Sequence, residues 1–177
     1  VMAFSMIGAF LGRVLSKGGV FDVTAHNSFA QLLPAFSISM IGVGFAAPAA
    51  MSTTPATVAI ALVLSTVFGV AAILYTVIAA ITAFASMLQH GTARESGPTL
   101  MIIVPIVTVL GILFLRQDHG LHVAFDVQVQ PGETMIFLAR LVSVQVAFLL
   151  LGAVVMRRQG YFRDFVIGSS TSPRSYA

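Results

Sequence analysis

The string DHGLHVAFD sets Asp118, His119, His122 and Asp126 close together. Two histidines three positions apart meet on one face of a helix and can share a metal ion. Gly120 between them, and the alternation of HVAFDVQVQ, argue instead for a loop or a short extended segment. The string therefore reads as a solvated loop that holds no metal. His26 and His90 pose a second question, since two facing imidazoles can ligate a haem. Both stand at the ends of apolar runs rather than inside them, so no haem is expected. Glu133 and Arg140 fall on one helical face two turns apart. An arginine there either draws anions to a pore mouth or snorkels to the interface, and snorkelling is the reading favoured. There is no cysteine, hence no disulfide and no thiolate chemistry. No Ser-His-Asp order, Gly-rich phosphate loop or paired intramembrane carboxylate is present. The chain does not read as an enzyme, and no cofactor or metal is expected.

The remaining residues explain this scarcity. Hydrophobic residues make up 58% of the 177 and charged ones 8%, against about 25% charge in an ordinary soluble domain. Mean hydropathy is +0.99. Between Val23 and Ala93 there is no Asp, Glu, Lys or Arg. Such a chain cannot cover a water-facing surface, so its main solvent is lipid. The net charge of +3 is too small to suggest nucleic acid as a partner. The chain starts at Val1 and is read as one transmembrane domain over residues 1–177, truncated at both ends.

Five apolar runs are evident: Met2 to Ser16, Gln31 to Met51, Ala56 to Leu88, Thr99 to Leu115 and Thr134 to Met156. A bilayer core needs about 20 apolar residues as a helix, so all but the first suffice or nearly so. The third, about 50 Å long as a helix, must tilt or project beyond the headgroups. The joints carry boundary chemistry. Asn27 or Ser28 can cap the second run, and Pro55 can open the third. Gly91 can end the third run and Ser96 cap the fourth. The expected fold is all-α: a polytopic helical bundle of about five membrane segments.

Lys and Arg are unevenly shared between the two sets of connections. Arg13, Lys17, Arg94, Arg157, Arg158, Arg163 and Arg174 fall on one side, and Arg116 on the other, with Arg140 inside the fifth run. Positively charged loops stay in the cytoplasm, so the side of Lys17, Arg94 and Arg157 is expected to be cytoplasmic. A bacterial-type inner membrane is the expected location.

Prolines alternate with clean runs. The second run has Pro34 and Pro48, and the fourth has Pro105 near its middle after Pro98. The third run has none after Pro55, and the fifth has none at all. A carbonyl freed by proline costs several kcal/mol if left in lipid. The second and fourth runs are therefore expected inside, against protein or a cavity. The third and fifth, being straighter, are expected outside.

AHNSFAQLLPAFSISMIGVGFAAPAAM resembles the fifth membrane helix of the tellurite-resistance/dicarboxylate transporter family, which includes the plant slow anion channels. SGPTLMIIVPIVTVLGI is similar to that family's seventh helix, with Pro98 before it and Pro105 within it. SPRSYA at the end is similar to the lead into the ninth. The resemblance covers most of the chain, from about helix four to the start of helix nine. It implies an inner ring of helices around a pore, a homotrimer, and a small anion as substrate: a halide, a sulfite- or tellurite-type oxyanion, or a C4-dicarboxylate. The family's gating phenylalanine lies in the ninth helix, so no gate is assigned. The pore-lining candidates are Phe36, Ser39, Gly42, Phe45, Pro105 and Thr108. The phenylalanines would narrow the path, and Ser37, Ser39 and Thr108 would offer hydroxyls. Ordinary helix packing is the competing reading of each phenylalanine. No Asp, Glu or His is expected within a span, which favours a channel over a proton-coupled carrier. The alternative function is a membrane subunit of a respiratory or other redox enzyme.

Overall fold

A computed structural model describes residues 28–91, 94–128 and 130–161, together with Ser5, Gly8, Ala9 and Gly12; for 94–96 it describes the backbone alone. The first apolar run and His26 lie almost wholly outside the described residues. Four helices long and apolar enough to cross a membrane follow one another, and no strand occurs among the described residues. They are α1 (Leu33–Met51), α2 (Pro55–His90), α3 (Ile103–Phe125) and α4 (Pro131–Arg158). A short 3-10 segment, Phe29–Leu32, leads into α1, and a longer one, Arg94–Ile102, leads into α3. The chain is a multi-pass helical membrane protein.

The helix ends follow from local chemistry. Ser28 Oγ accepts from the N–H of Ala30, the expected cap. Pro55 opens α2 at its first position, where its missing N–H has no helical partner to lose. Gly91 ends α2 with φ of 74°, a conformation open to glycine. α2 runs unbroken for 36 residues, about 54 Å at 1.5 Å per residue, so the expected overlong span is real.

Three expectations about the fourth run need correction. The helix begins at Ile103 rather than near Thr99, and Ser96 lies inside the 3-10 segment rather than capping a helix. Pro105 therefore sits in the first turn of α3 and not in its middle. At the other end α3 runs on through RQDHGLHVAF to Phe125. The string expected to be loop or strand is helical as far as Phe125. Asp126 ends it in the left-handed conformation, with φ of 52°.

The reason for the extension lies in Gly120. A Cβ there would run into the carbonyl oxygen of Ala49. The glycine that looks like a loop residue is a contact residue that lets α3 lie against the end of α1. The same device recurs deeper in the bundle. A Cβ on Gly42 would lie 2.6 Å from Leu113 Cδ1, and one on Gly69 3.4 Å from both Leu113 methyls. Leu113, fully buried, thus fills a notch made by two glycines on two helices.

At the other end the two 3-10 segments meet. The Phe29 N–H donates to Thr99 Oγ1 at 3.1 Å, and Tyr75 Oη donates to the Gln31 carbonyl at 3.3 Å. Backbone groups outside regular α-helix are satisfied here by neighbouring side chains, as a membrane interior requires. Phe29 is fully buried and meets Phe84 edge-on, with centroids 5.1 Å apart. Leu32, Met87, Leu100 and Ile103 complete this cluster.

Buried residues make up 39% of the apolar stretch of Phe29–Met51, 33% of that of Gly97–Phe125 and 28% of that of Pro55–His90, against 6% for Pro131–Arg158, so that burial sets α4 apart from the other three. The separation is slight for α2, which covers one whole side of α1, and wide for α4. α4 touches the rest through Leu141 against Gly111, Phe137 against Phe114 and Met156 against Gly97.

Gly120→Ala is expected to lower stability by about 1–3 kcal/mol, because the helices must part to admit the methyl group. Gly44→Ala, where a Cβ meets nothing within 4 Å, is expected to change it by less than about 0.5 kcal/mol. Reversible unfolding in mixed micelles checks this; equal stabilities for the two variants would contradict the proposed close approach.

Candidate functional site

One face of α1 is left open. Leu33, Ser37, Met40, Gly44, Pro48 and Met51 are exposed and follow one another at three- and four-residue steps. The other faces of α1 are covered. Ala35, Ile38, Ser39, Gly42, Ala46 and Ala49 are buried. Phe45, on one flank of the stripe, stacks on Phe68 of α2 at 5.4 Å. Val43, on the other flank, receives Arg116 of α3.

α3 carries a matching stripe. Pro105, Thr108, Ile112, His119 and Val123 are exposed, between the side that meets α4 through Gly111 and the side that meets α1 through Gly120. The stripes of α1 and α3 thus adjoin across Arg116 and form one open surface.

The sequence-predicted candidates divide over this geometry. Pro105 and Thr108 stand on the open surface, while Phe36 and Phe45 stand half-buried at the flanks of the α1 stripe. Ser39 and Gly42 face inward. Ser39 is fully buried and its hydroxyl donates to the Phe36 carbonyl at 2.7 Å, and Gly42 receives Leu113. Ser37 is exposed on the stripe and donates to the Leu33 carbonyl at 3.3 Å. Thr108 Oγ1 donates to the Val104 carbonyl and accepts from Gln145 Nε2 of α4 at 2.8 Å. Each hydroxyl proton is turned to its own helix, as is usual for serine and threonine in apolar helices.

Two residues outside the expected set prove structural to this surface. Gln117, buried, donates through Nε2 to Ser65 Oγ at 2.7 Å and Thr66 Oγ1 at 3.0 Å. Arg116 Nη1 donates to the Val43 carbonyl at 3.4 Å, at the long end of hydrogen-bond range. Both belong to RQDHG, which looks like loop because it is polar. The signal available in the sequence was their register: Leu110, Leu113, Gln117 and Gly120 continue one buried helical face at i, i+3, i+7 and i+10.

The extension of α3 also brings titratable residues onto a helix long enough to cross a membrane, where a loop was expected. Asp118 and His119 fall inside Gly97–Phe125, as does His122. Asp118 is half-buried and lines a groove with Leu62, Val63, Thr66, Gln117 and Leu121, on the α2 side of α3. It also borders a shallow pocket with Leu115, His119, His122 and Thr134. His119 and His122, now on one helix, are both exposed, and His122 Nδ1 lies 3.0 Å from the Val127 carbonyl. No group of three or more His, Asp or Glu that could hold a metal occurs among the described residues. His90 is exposed at the end of α2, with Nδ1 3.3 Å from the Ser86 carbonyl. Arg140 is exposed on α4, and so is Glu133.

No family model, no curated protein and no solved structure matches the chain.

Proposed function

We propose that this protein passes small anions across the membrane, as a channel or transporter, along the surface shared by α1 and α3. The observation that carries the reading is the makeup of that surface. It exposes the backbone around Gly44 and the mid-helix Pro48, includes Ser37 and Thr108, and is bordered by Arg116, with Asp118 reaching it only through the shallow pocket beside His119. Pro48 lacks the N–H that would otherwise bond the Gly44 carbonyl. Exposed backbone of this kind belongs against protein or a water-filled path rather than acyl chains. The resemblance of the α1 and α3 sequences to helices of the tellurite-resistance/dicarboxylate transporter family supports the same reading. So does the contrast with α2 and α4, whose exposed faces are rows of Ile, Val and Leu suited to lipid. The orientation proposed is the one the basic residues favour, with Gly91 and Arg157 on the cytoplasmic side and Gln130 outside. The membrane is a cell, or inner, membrane.

Liposomes holding the full-length protein are expected to release chloride, sulfite or malate down a gradient. Gly44→Trp should cut that flux about tenfold by narrowing the path, whereas Leu150→Trp on α4 should leave it unchanged. Absence of flux for every anion, or equal effects of the two substitutions, would refute the reading.

The chain has no cysteine, so single cysteines report sidedness cleanly. A membrane-impermeant maleimide added to intact cells should label a cysteine at position 130 and spare one at 91. The reverse pattern would invert the topology.

A further inference from the structure

Resting on that reading, we propose that Arg116 is the charge-selecting residue of the path, a fixed cation that holds a small anion transiently beside α1. Its position in depth is the first argument. Arg116 lies about 14 Å along the axis from the last residue of α3, Phe125, and its partner Val43 about 12 Å from the last residue of α1, Met51. Both helix ends are on the same side, since Gly120 meets Ala49. The guanidinium is therefore held against α1, more than two turns short of both helix ends. A charged side chain on a membrane helix is found facing a bundle interior or a water-filled cavity, and this one faces α1.

Its partners are the second argument. Arginine has five N–H donors. The described residues supply one acceptor, the Val43 carbonyl, at the long distance of 3.4 Å. Neither Asp118 nor any other described carboxylate pairs with it: Asp118 lines the groove toward Leu62 and Val63 of α2 and the shallow pocket beside His119 and His122. The neighbouring amide, Gln117, is turned to α2, where its Nε2 donates to Ser65 and Thr66. Arg116 thus brings an uncompensated positive charge, with donors to spare, to the edge of the open stripe at Gly44 and Pro48.

The ligand class follows from the donor. A planar guanidinium fork offers two parallel N–H groups to a carboxylate or oxyanion, and charge alone to a halide. A fixed cation beside a narrow path raises the local concentration of anions and lowers that of cations. A purely bracing role, tying α3 to α1 through Val43, would affect stability and leave ion selectivity alone.

The test is the reversal potential of the full-length protein in a planar bilayer under a salt gradient. Wild-type protein should favour anions. Arg116→Gln should lower the anion-to-cation permeability ratio about tenfold or more, and Arg116→Lys should keep it within about threefold. Arg116→Cys provides a comparison within one folded protein. Attaching a positively charged thiol reagent should restore anion preference, and a negatively charged one should reverse it. A wild-type reversal potential in Arg116→Gln, or no shift after either reagent has attached, would overturn the role of Arg116 while leaving the conduit intact. Absence of any wild-type current would bring down the proposed function, and this assignment with it.

Discussion

Leu113 enters a notch bounded by Gly42 on α1 and Gly69 on α2, and the rest of the arrangement depends on that fit. Between helices in lipid there is little hydrophobic drive, because acyl chains are as apolar as leucine. Close approach of backbones, with the dispersion contacts it permits, must hold the bundle instead. The Leu113 notch and the contact of Gly120 with Ala49 set the spacing and register of α1 and α3. That register carries Gln117 to Ser65 and Arg116 to Val43. On α4 one glycine, Gly152, meets Met101 and Leu100, most of the remaining surface is exposed aliphatic rows, and the helix stands at the edge.

Much of this architecture is legible in the sequence because lipid permits so few solutions. Length and apolar content locate the four spans, and Ser28, Pro55 and Gly91 mark ends that the structure reproduces. Proline placement foretells the outer position of α4 but does not separate α2 from α3, which are buried to nearly the same extent. The C-terminal third of α3 was illegible for a physical reason. Polar composition signals loop only when the polar side chains reach water, and in RQDHG they do not all do so. Gln117 bonds to hydroxyls on α2, Arg116 to a carbonyl on α1, and Gly120 is spent on helix contact. Those partners are distant in sequence, so no local pattern names them. Pro105 misleads in the same way. It is central to an apolar string, yet the string comprises a 3-10 segment followed by a helix whose first turn it occupies.

The candidate site was legible in part. Choosing α1 and α3 identified the helices that share the open surface, but small residues alone did not tell which face of α1 is open. Gly42 and Gly44 differ by two positions and hence by slightly more than half a turn, about 200°. One is filled by Leu113 and the other meets nothing within 4 Å. Likewise Ser39 is buried and Ser37 exposed. Glycine in such a helix serves two ends, close packing and exposed backbone, and tertiary contacts decide which applies. Extending α3 also places Asp118 and His119 within a span, so titratable groups stand near the proposed path.

The central claim is that the open stripe of α1 faces water or protein while the stripes of α2 and α4 face lipid. Nitroxide labels on the cysteine-free chain test it most directly, one at Met40 on α1 and one at Leu150 on α4, in the full-length protein in bilayers. Collision rates with lipid-dissolved oxygen and with a water-soluble nickel chelate separate the two environments. The account predicts that the nickel chelate, relative to oxygen, relaxes the label at Met40 more strongly than the one at Leu150. Oxygen-dominated relaxation at both positions, with no difference between them, would contradict it.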